Sequence, residues 1–168
     1  NEFNSAKSPL TYAVGKDITG RIMVGALNKM PHLLIAGTTG SGKSVMLNSI
    51  IISLLYKSSP DDCKLLLIDP KQVEFTPYEG IPHLIVPKVI SDLTKATNAL
   101  QWAVDEMERR FRLIREARVR DIDEYNSTPD VVTYKKKKMP FIVIIIDEFS
   151  DFIMQGKKEV EDKIIRLG

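Results

Sequence analysis

Cysteine is almost missing from these 168 residues: Cys63 stands alone, so no disulfide can form within the chain. That fits a reducing compartment. Cys63 opens an apolar run, which marks a buried, inert thiol. Histidine is scarce as well, at two residues, and a zinc site would need more ligands than these. No sign of charge dominates: 24 Lys and Arg face 22 Asp and Glu, for a net charge of +2. Bulk charge therefore neither demands nor excludes a nucleic acid, and a DNA surface would have to come from the arrangement of charges. Long hydrophobic runs are lacking too. The longest, Phe141–Ile146, is far too short to cross a bilayer and reads as a buried strand. There is no signal-peptide pattern, and the chain is read as soluble. What remains is ordinary globular composition, 43% hydrophobic and 27% charged, with length enough for one α/β domain.

The most informative stretch is Pro31–Asn48. A short apolar run, His32–Ala36, leads into Gly37-Thr38-Thr39-Gly40-Ser41-Gly42-Lys43-Ser44, and a helical pattern follows from about Gly42 to Tyr56. Strand, glycine-rich turn and helix are the context a phosphate-binding loop, Walker A, requires. The glycines allow successive N–H groups to converge on one anion. The helix adds the positive end of its dipole. Lys43 can reach the β- and γ-phosphates, and the Ser44 hydroxyl can take one position on Mg²⁺. The expected ATP-binding residues are Gly37 to Ser44 together with Val45.

Before this loop, Leu10–Val14 and Arg21–Val24 flank a glycine-bounded turn and read as a β-hairpin. Residues 1–30 are thus expected to form a lead-in and hairpin, and residues 31–168 the core. The helix after the loop is apolar over most of its circumference and is expected to be buried. Lys64–Ile68 reads as a second strand, ending in Asp69-Pro70-Lys71. Two readings stand for that terminus: a contribution to the nucleotide edge, where parallel strands end, or a plain Asp-Pro turn. Residues 72–90 look irregular, with a short strand near His83–Val86.

Ser91 is the expected cap of a long helix reaching about Val119, with Leu93, Ala96, Leu100, Ala103, Met107, Phe111 and Ile114 on its apolar face. Asp105, Glu106 and Glu108 each stand four residues before Arg109, Arg110 and Arg112, a favourable order for ion pairs. These acids make the face a solvated one more than a DNA-reading stripe, and Trp102 is read as packing. Lys135–Lys138 precedes the next strand. It therefore lies away from the nucleotide edge, as a solvated charge run.

Phe141–Ile146 followed by Asp147-Glu148 is Walker B: six apolar residues, then an acid, about a hundred residues after Walker A. Asp147 is expected to hold Mg²⁺, and Glu148 to orient and polarise the attacking water. The Asp-Glu pair favours ATP hydrolysis. A final amphipathic helix is expected over Lys157–Leu167.

With both motifs placed, the sequence resembles the motor domain of the FtsK/SpoIIIE DNA translocases. The shared segments include Ser8-Pro9-Leu10-Thr11, Gly15-Lys16-Asp17-Ile18, Met30-Pro31-His32-Leu33-Leu34, Ile68-Asp69-Pro70-Lys71, Tyr78-Glu79-Gly80-Ile81-Pro82-His83-Leu84, Glu106-Met107-Glu108-Arg109-Arg110 and Asp147-Glu148-Phe149. Gln72-Val73-Glu74-Phe75 and Ser150 depart from the usual pattern. The resemblance implies an α/β fold, a RecA-like core with a mostly parallel sheet flanked by helices. It also implies a hexameric ring around double-stranded DNA, driven by ATP and Mg²⁺ in chromosome segregation and cell division. The parent protein is expected in the cytoplasm, with any membrane anchor in a segment outside this chain.

Family members continue beyond Walker B into a sensor strand and an arginine finger that this sequence does not contain. The chain is therefore expected to be the amino-terminal half of a larger motor and inactive in isolation. The alternatives are a related conjugative coupling or secretion ATPase, and a nucleotide-binding assembly module without turnover.

Overall fold

The computed structural model describes residues 2–30, 32–38, 40–133 and 137–168, with Lys157 described by its backbone alone. Two compact units divide the chain, Asn1–Cys63 and Lys64–Gly168.

In the first unit, α1 (Glu2–Ser5) precedes an antiparallel hairpin of β1 (Thr11–Lys16) and β2 (Ile22–Ala26). The hairpin sits where the sequence placed it. Its turn is organised by Asp17, whose carboxylate accepts bonds from the Thr19 hydroxyl and amide and from the Arg21 amide and guanidinium. These bonds, the Thr19 hydroxyl foremost, hold the Asp17 carboxyl down at about 2. Helix α2 (Lys43–Lys57) packs on β1. Two serines on α2 splice onto the strand: the Ala13 amide donates to Ser53 Oγ at 3.1 Å, and Ser49 Oγ donates to the Ala13 carbonyl at 3.1 Å. Leu47, Ile50, Ile51 and Leu54 of α2 are buried, as are Leu10 and Tyr12.

Two expectations fail in this unit. The helix is not buried all round, because Val45, Ile52 and Tyr56 stand exposed on one stripe. Within the unit the narrow hairpin covers only one side of α2. The run His32–Ala36 is not a strand. Leu33 and Leu34 are 39% and 76% exposed, and the described strands pair only as β1 with β2 and β3 with β4. An apolar run supplies propensity, but a strand exists only through a partner's hydrogen-bonding ladder.

The second unit is built on β3 (Cys63–Ile68) and β4 (Phe141–Ile146), neighbours in a parallel sheet. On its other edge β3 makes isolated parallel bridges, Leu65 to Leu84 and Ile68 to Ile90. The short strand expected near His83–Val86 thus shrinks to the single bridge at Leu84. His83 is buried and His32 exposed. Helices α3 (Leu93–Glu116) and α6 (Phe149–Leu167) pack on each other. Leu66, Ile68, Ile90, Ala96, Leu100, Phe152 and Val160 form the core cluster. Burying each large aliphatic side chain there contributes roughly 1.5–3 kcal/mol before the entropy of ordering is set against it.

The cap of α3 is Asp92, not Ser91: the Asp92 carboxylate accepts the Lys95 amide at 2.9 Å. The helix ends at Glu116, where Arg118 turns left-handed at φ 57°. Phe111 is 61% exposed, so the apolar stripe leaves the core before the helix ends, and Trp102 is 40% exposed. Strand β4 is only half-buried except at Ile145, less covered than a six-residue apolar run suggests. Helix α6 begins eight residues earlier than its periodicity indicated. Lys135 and Lys136 lie outside the described residues. So do Asn1, Pro31, Thr39 and Tyr134.

Of the three expected ion pairs on α3, one forms. Glu106 takes Arg109 Nε at 2.6 Å and Arg110 Nε at 2.7 Å, whereas Glu108 meets Arg166 of α6 and Asp105 accepts Gln101. Arg110 also donates to the Pro140 carbonyl at 2.5 Å, tying α3 to the start of β4. From α4 (Ile122–Asn126), Asn126 bonds both the amide and the carbonyl of Met139 at 2.8 Å. Between α4 and β4 lies the single turn α5 (Pro129–Val132). Cys63 is fully buried, and that burial pushes its thiol up to about 12, matching the inert thiol expected.

The Glu106 carboxyl is held at about 2, chiefly by its bond from Arg109. An unfolded glutamate titrates near ~4.3. Its stabilisation is therefore complete above that value and fades as pH falls towards 2. Glu106→Gln is expected to cost about 1–2 kcal/mol near neutrality. Denaturation of both proteins between neutral and strongly acid pH should show the gap closing with acidification.

Candidate nucleotide site

The glycine-rich loop read as Walker A sits in the first unit. Its turn is closed by the Ser41 amide donating to the Thr38 carbonyl at 3.0 Å. Gly40 and Gly42 lie at φ 80° and 96°, a region where a side chain is strained, so the two glycines permit the reversal that feeds the helix. Gly37 is required for a different reason. A Cβ there would come within 2.1 Å of Ser41 Oγ, so the loop curls too tightly to admit one.

Helix α2 opens at Lys43 with no side-chain cap. Its first bond runs from the Met46 amide to the Gly42 carbonyl at 2.9 Å. The amides of the first turn and the dipole's positive end together favour an anion. Lys43 and Ser44 are the first two helical residues and are half-buried, while Val45 is 73% exposed. Gly37, Thr38, Gly40, Ser41, Gly42, Lys43, Ser44 and Val45 thus form one continuous loop and helix start. Thr39 lies outside the described residues.

The acidic motif belongs to the second unit. Parallel pairing continues one residue past β4, because the Asp147 amide donates to the Ile68 carbonyl at 3.0 Å. Asp147 is therefore fixed beside the carboxyl end of β3, 4% exposed. Glu148 follows in a left-handed conformation, φ 51° and ψ 50°, and serves as the N-cap residue of α6. That backbone costs a non-glycine residue about 1–2 kcal/mol. The Phe152 amide, donating to the Glu148 carbonyl at 3.1 Å, starts the helix and helps hold it.

Asp69 is fully buried and spends its carboxylate on the turn. Oδ1 accepts the amides of Lys71 and Gln72 at 3.1 and 2.9 Å, and Oδ2 those of Glu74 and Phe75 at 2.9 and 3.2 Å. Of the two readings open for Asp69, turn organiser is the one its contacts describe. The turn delivers Lys71 beside the acidic motif, with Lys71 Nζ 3.4 Å from Glu148 Oε1. The sequence placed Lys71 at a strand's carboxyl end but gave no partner for it. Only the adjacency of β3 and β4 supplies one.

A hard, oxygen-seeking cation such as Mg²⁺ is chemically matched to hydroxyl and carboxylate donors. It is commonly held by one or two protein oxygens completed by phosphate and water. The Ser44 hydroxyl and the Asp147 carboxylate are oxygen donors of that kind. Among the described residues no three His, Cys, Asp or Glu side chains gather into a metal cage.

Comparison with known proteins adds the following. A model of the FtsK/SpoIIIE family matches residues 1–168. The DNA translocase FtsK of Clostridium acetobutylicum is 55% identical over 98% of this chain, which covers 21% of that protein. The DNA translocase SftA of Bacillus subtilis is 52% identical over 98% of the chain, covering 17% of its length. The chain therefore spans about a fifth of the curated relatives it matches. Among solved structures, the pCW3 conjugation coupling protein TcpA with ATPγS superposes at a TM-score of 0.72 and 30% identity, over 96% of this chain and 43% of TcpA.

Asp69→Asn replaces one of two acceptor oxygens with a donor, against four amides that need acceptors. It is expected to destabilise the protein by about 1–3 kcal/mol. Urea denaturation checks the size, and hydrogen exchange should show the amides of Glu74 and Phe75 losing protection.

Proposed function

The chain belongs to the FtsK/SpoIIIE family, and from that premise we propose that it carries part of the ATP-hydrolysing site of a motor that moves double-stranded DNA. The observation that supports this most is the pairing of motifs. A tightly curled glycine loop opens α2, and an Asp-Glu pair leaves β4, in a sequence 55% identical to a DNA translocase. The α/β fold with its parallel sheet agrees with such a motor.

In this reading the loop amides from Gly37 to Ser44 cradle the phosphates, with Thr38, Thr39 and Val45 lining the nucleotide. Lys43 neutralises charge on the β- and γ-phosphates, and its ammonium opposes the charge that grows in the transition state. Ser44 and Asp147 would hold Mg²⁺, which would supply further charge neutralisation at the phosphates. Glu148 accepts a hydrogen bond from the attacking water, orients it in line with the γ-phosphoryl group and draws on its proton. Residues 31–168 form the ATPase core and residues 1–30 its lead-in.

Several copies are proposed to form a hexameric ring around duplex DNA, in the cytoplasm, with any membrane attachment made by a segment outside this chain. Among the described residues no helix is long and apolar enough to cross a membrane.

A conjugative coupling or secretion ATPase is the second reading, favoured by the superposition on TcpA with ATPγS. The identity to DNA translocases is nearly twice as high, and the translocase reading is preferred. Duplex DNA is expected to stimulate ATP hydrolysis by the full-length protein more than single strands do. Stimulation by a protein substrate instead would favour the secretion reading. Lys43→Ala is expected to weaken nucleotide binding by tenfold or more, on the order of the loss of a charge-assisted contact. Glu148→Ala should bind ATP normally while turnover falls about a hundredfold or more. Equal turnover in Glu148→Ala would remove Glu148 from its role.

A further inference from the structure

Lys71 belongs to neither motif, yet its ammonium meets Glu148 of the second. Each end of this contact rises from a rigid point. Lys71 lies in a turn whose amides, its own included, are gathered by the buried Asp69 carboxylate, with Gln72 set left-handed at φ 55° just after it. Glu148 is fixed between the Asp147 amide, bonded to Ile68, and the first turn of α6. The Glu148 side chain is long enough to lose considerable rotamer entropy when ordered. Lys71 Nζ stands 3.4 Å from Glu148 Oε1, with side chains 55% and 30% exposed. A half-exposed pair of this kind adds little to stability. Its effect on direction is larger, because an ammonium on the neighbouring strand end selects among the carboxylate's rotamers.

We propose that Lys71 is a positioning residue for Glu148. It holds the carboxylate through Oε1 in the orientation from which Glu148 aligns the attacking water. The proposal rests on the ATP-hydrolysing reading given above. A water-orienting group misplaced by about an ångström can lose orders of magnitude in rate, so a restraint worth little to folding can matter much to turnover.

The test uses the full-length protein with duplex DNA and measures kcat and KM for ATP. Lys71→Met is expected to lower kcat about tenfold, with KM within twofold of wild type and an unchanged melting temperature. Lys71→Arg should recover most of the loss, and Lys71→Gln should behave like Lys71→Met, guarding against an effect of the methionine itself. In a Glu148→Asp background the shorter carboxylate cannot keep the contact, so Lys71→Met should cost less than about twofold. Unchanged kcat in Lys71→Met overturns the proposal. A raised KM with intact kcat does the same, because it would place Lys71 on the nucleotide itself. A full loss persisting in the Glu148→Asp background also overturns it. Wild-type protein without ATP turnover would instead overturn the functional reading beneath it.

Discussion

The parallel pairing of β3 with β4 is the constraint on which the second unit depends. Parallel strands end on the same edge, so whatever chemistry follows each strand arrives side by side. Here the ladder runs one residue beyond β4, through the Asp147 amide to Ile68. That single bond sets Asp147 against the start of the 69–75 turn and aims the chain for the left-handed step at Glu148. Core packing of Leu66, Ile68, Phe152 and Val160 then locks the strands to α6. The Glu106–Arg110–Pro140 and Asn126–Met139 contacts fix where β4 begins. Burial decides which residues are inside, and a few polar bonds decide where each strand starts and stops.

The glycine-rich loop before α2 follows a different principle. Its shape is steric and local: two glycines in left-handed backbone, a third pressed under Ser41, and a helix that opens with no side-chain cap. None of this requires a distant partner, and so the loop is defined by the residues within it. Charge is supplied by amide dipoles and one lysine, which suits a ligand whose own charge is large.

That difference explains what was legible in the sequence. The hairpin, the Walker A turn, α2, β3, β4 and the long α3 all follow from local pattern, because turn chemistry and hydrophobic period act over a few residues. The cap of α3 slipped by one because Ser91 and Asp92 are both good caps, and only backbone geometry chooses Asp92. The run His32–Ala36 has the composition of a strand but not the pairing, and pairing is a property of two segments. Phe111 fits the helical stripe, yet the stripe outlasts the surface it packs on. The contact of Lys71 with Glu148 was invisible for the same reason. Seventy-seven positions separate them, and only strand order makes them neighbours.

The left-handed backbone at Glu148 sets a folding cost against the role proposed for its side chain. Glycine, or to a lesser extent asparagine, would sit there with less strain, so a chain selected for stability alone would drift away from glutamate. In the proposed role the side chain of Glu148 outweighs that backbone cost. In a stability-guided redesign, position 148 would be among the first proposed for replacement and should be among the first protected.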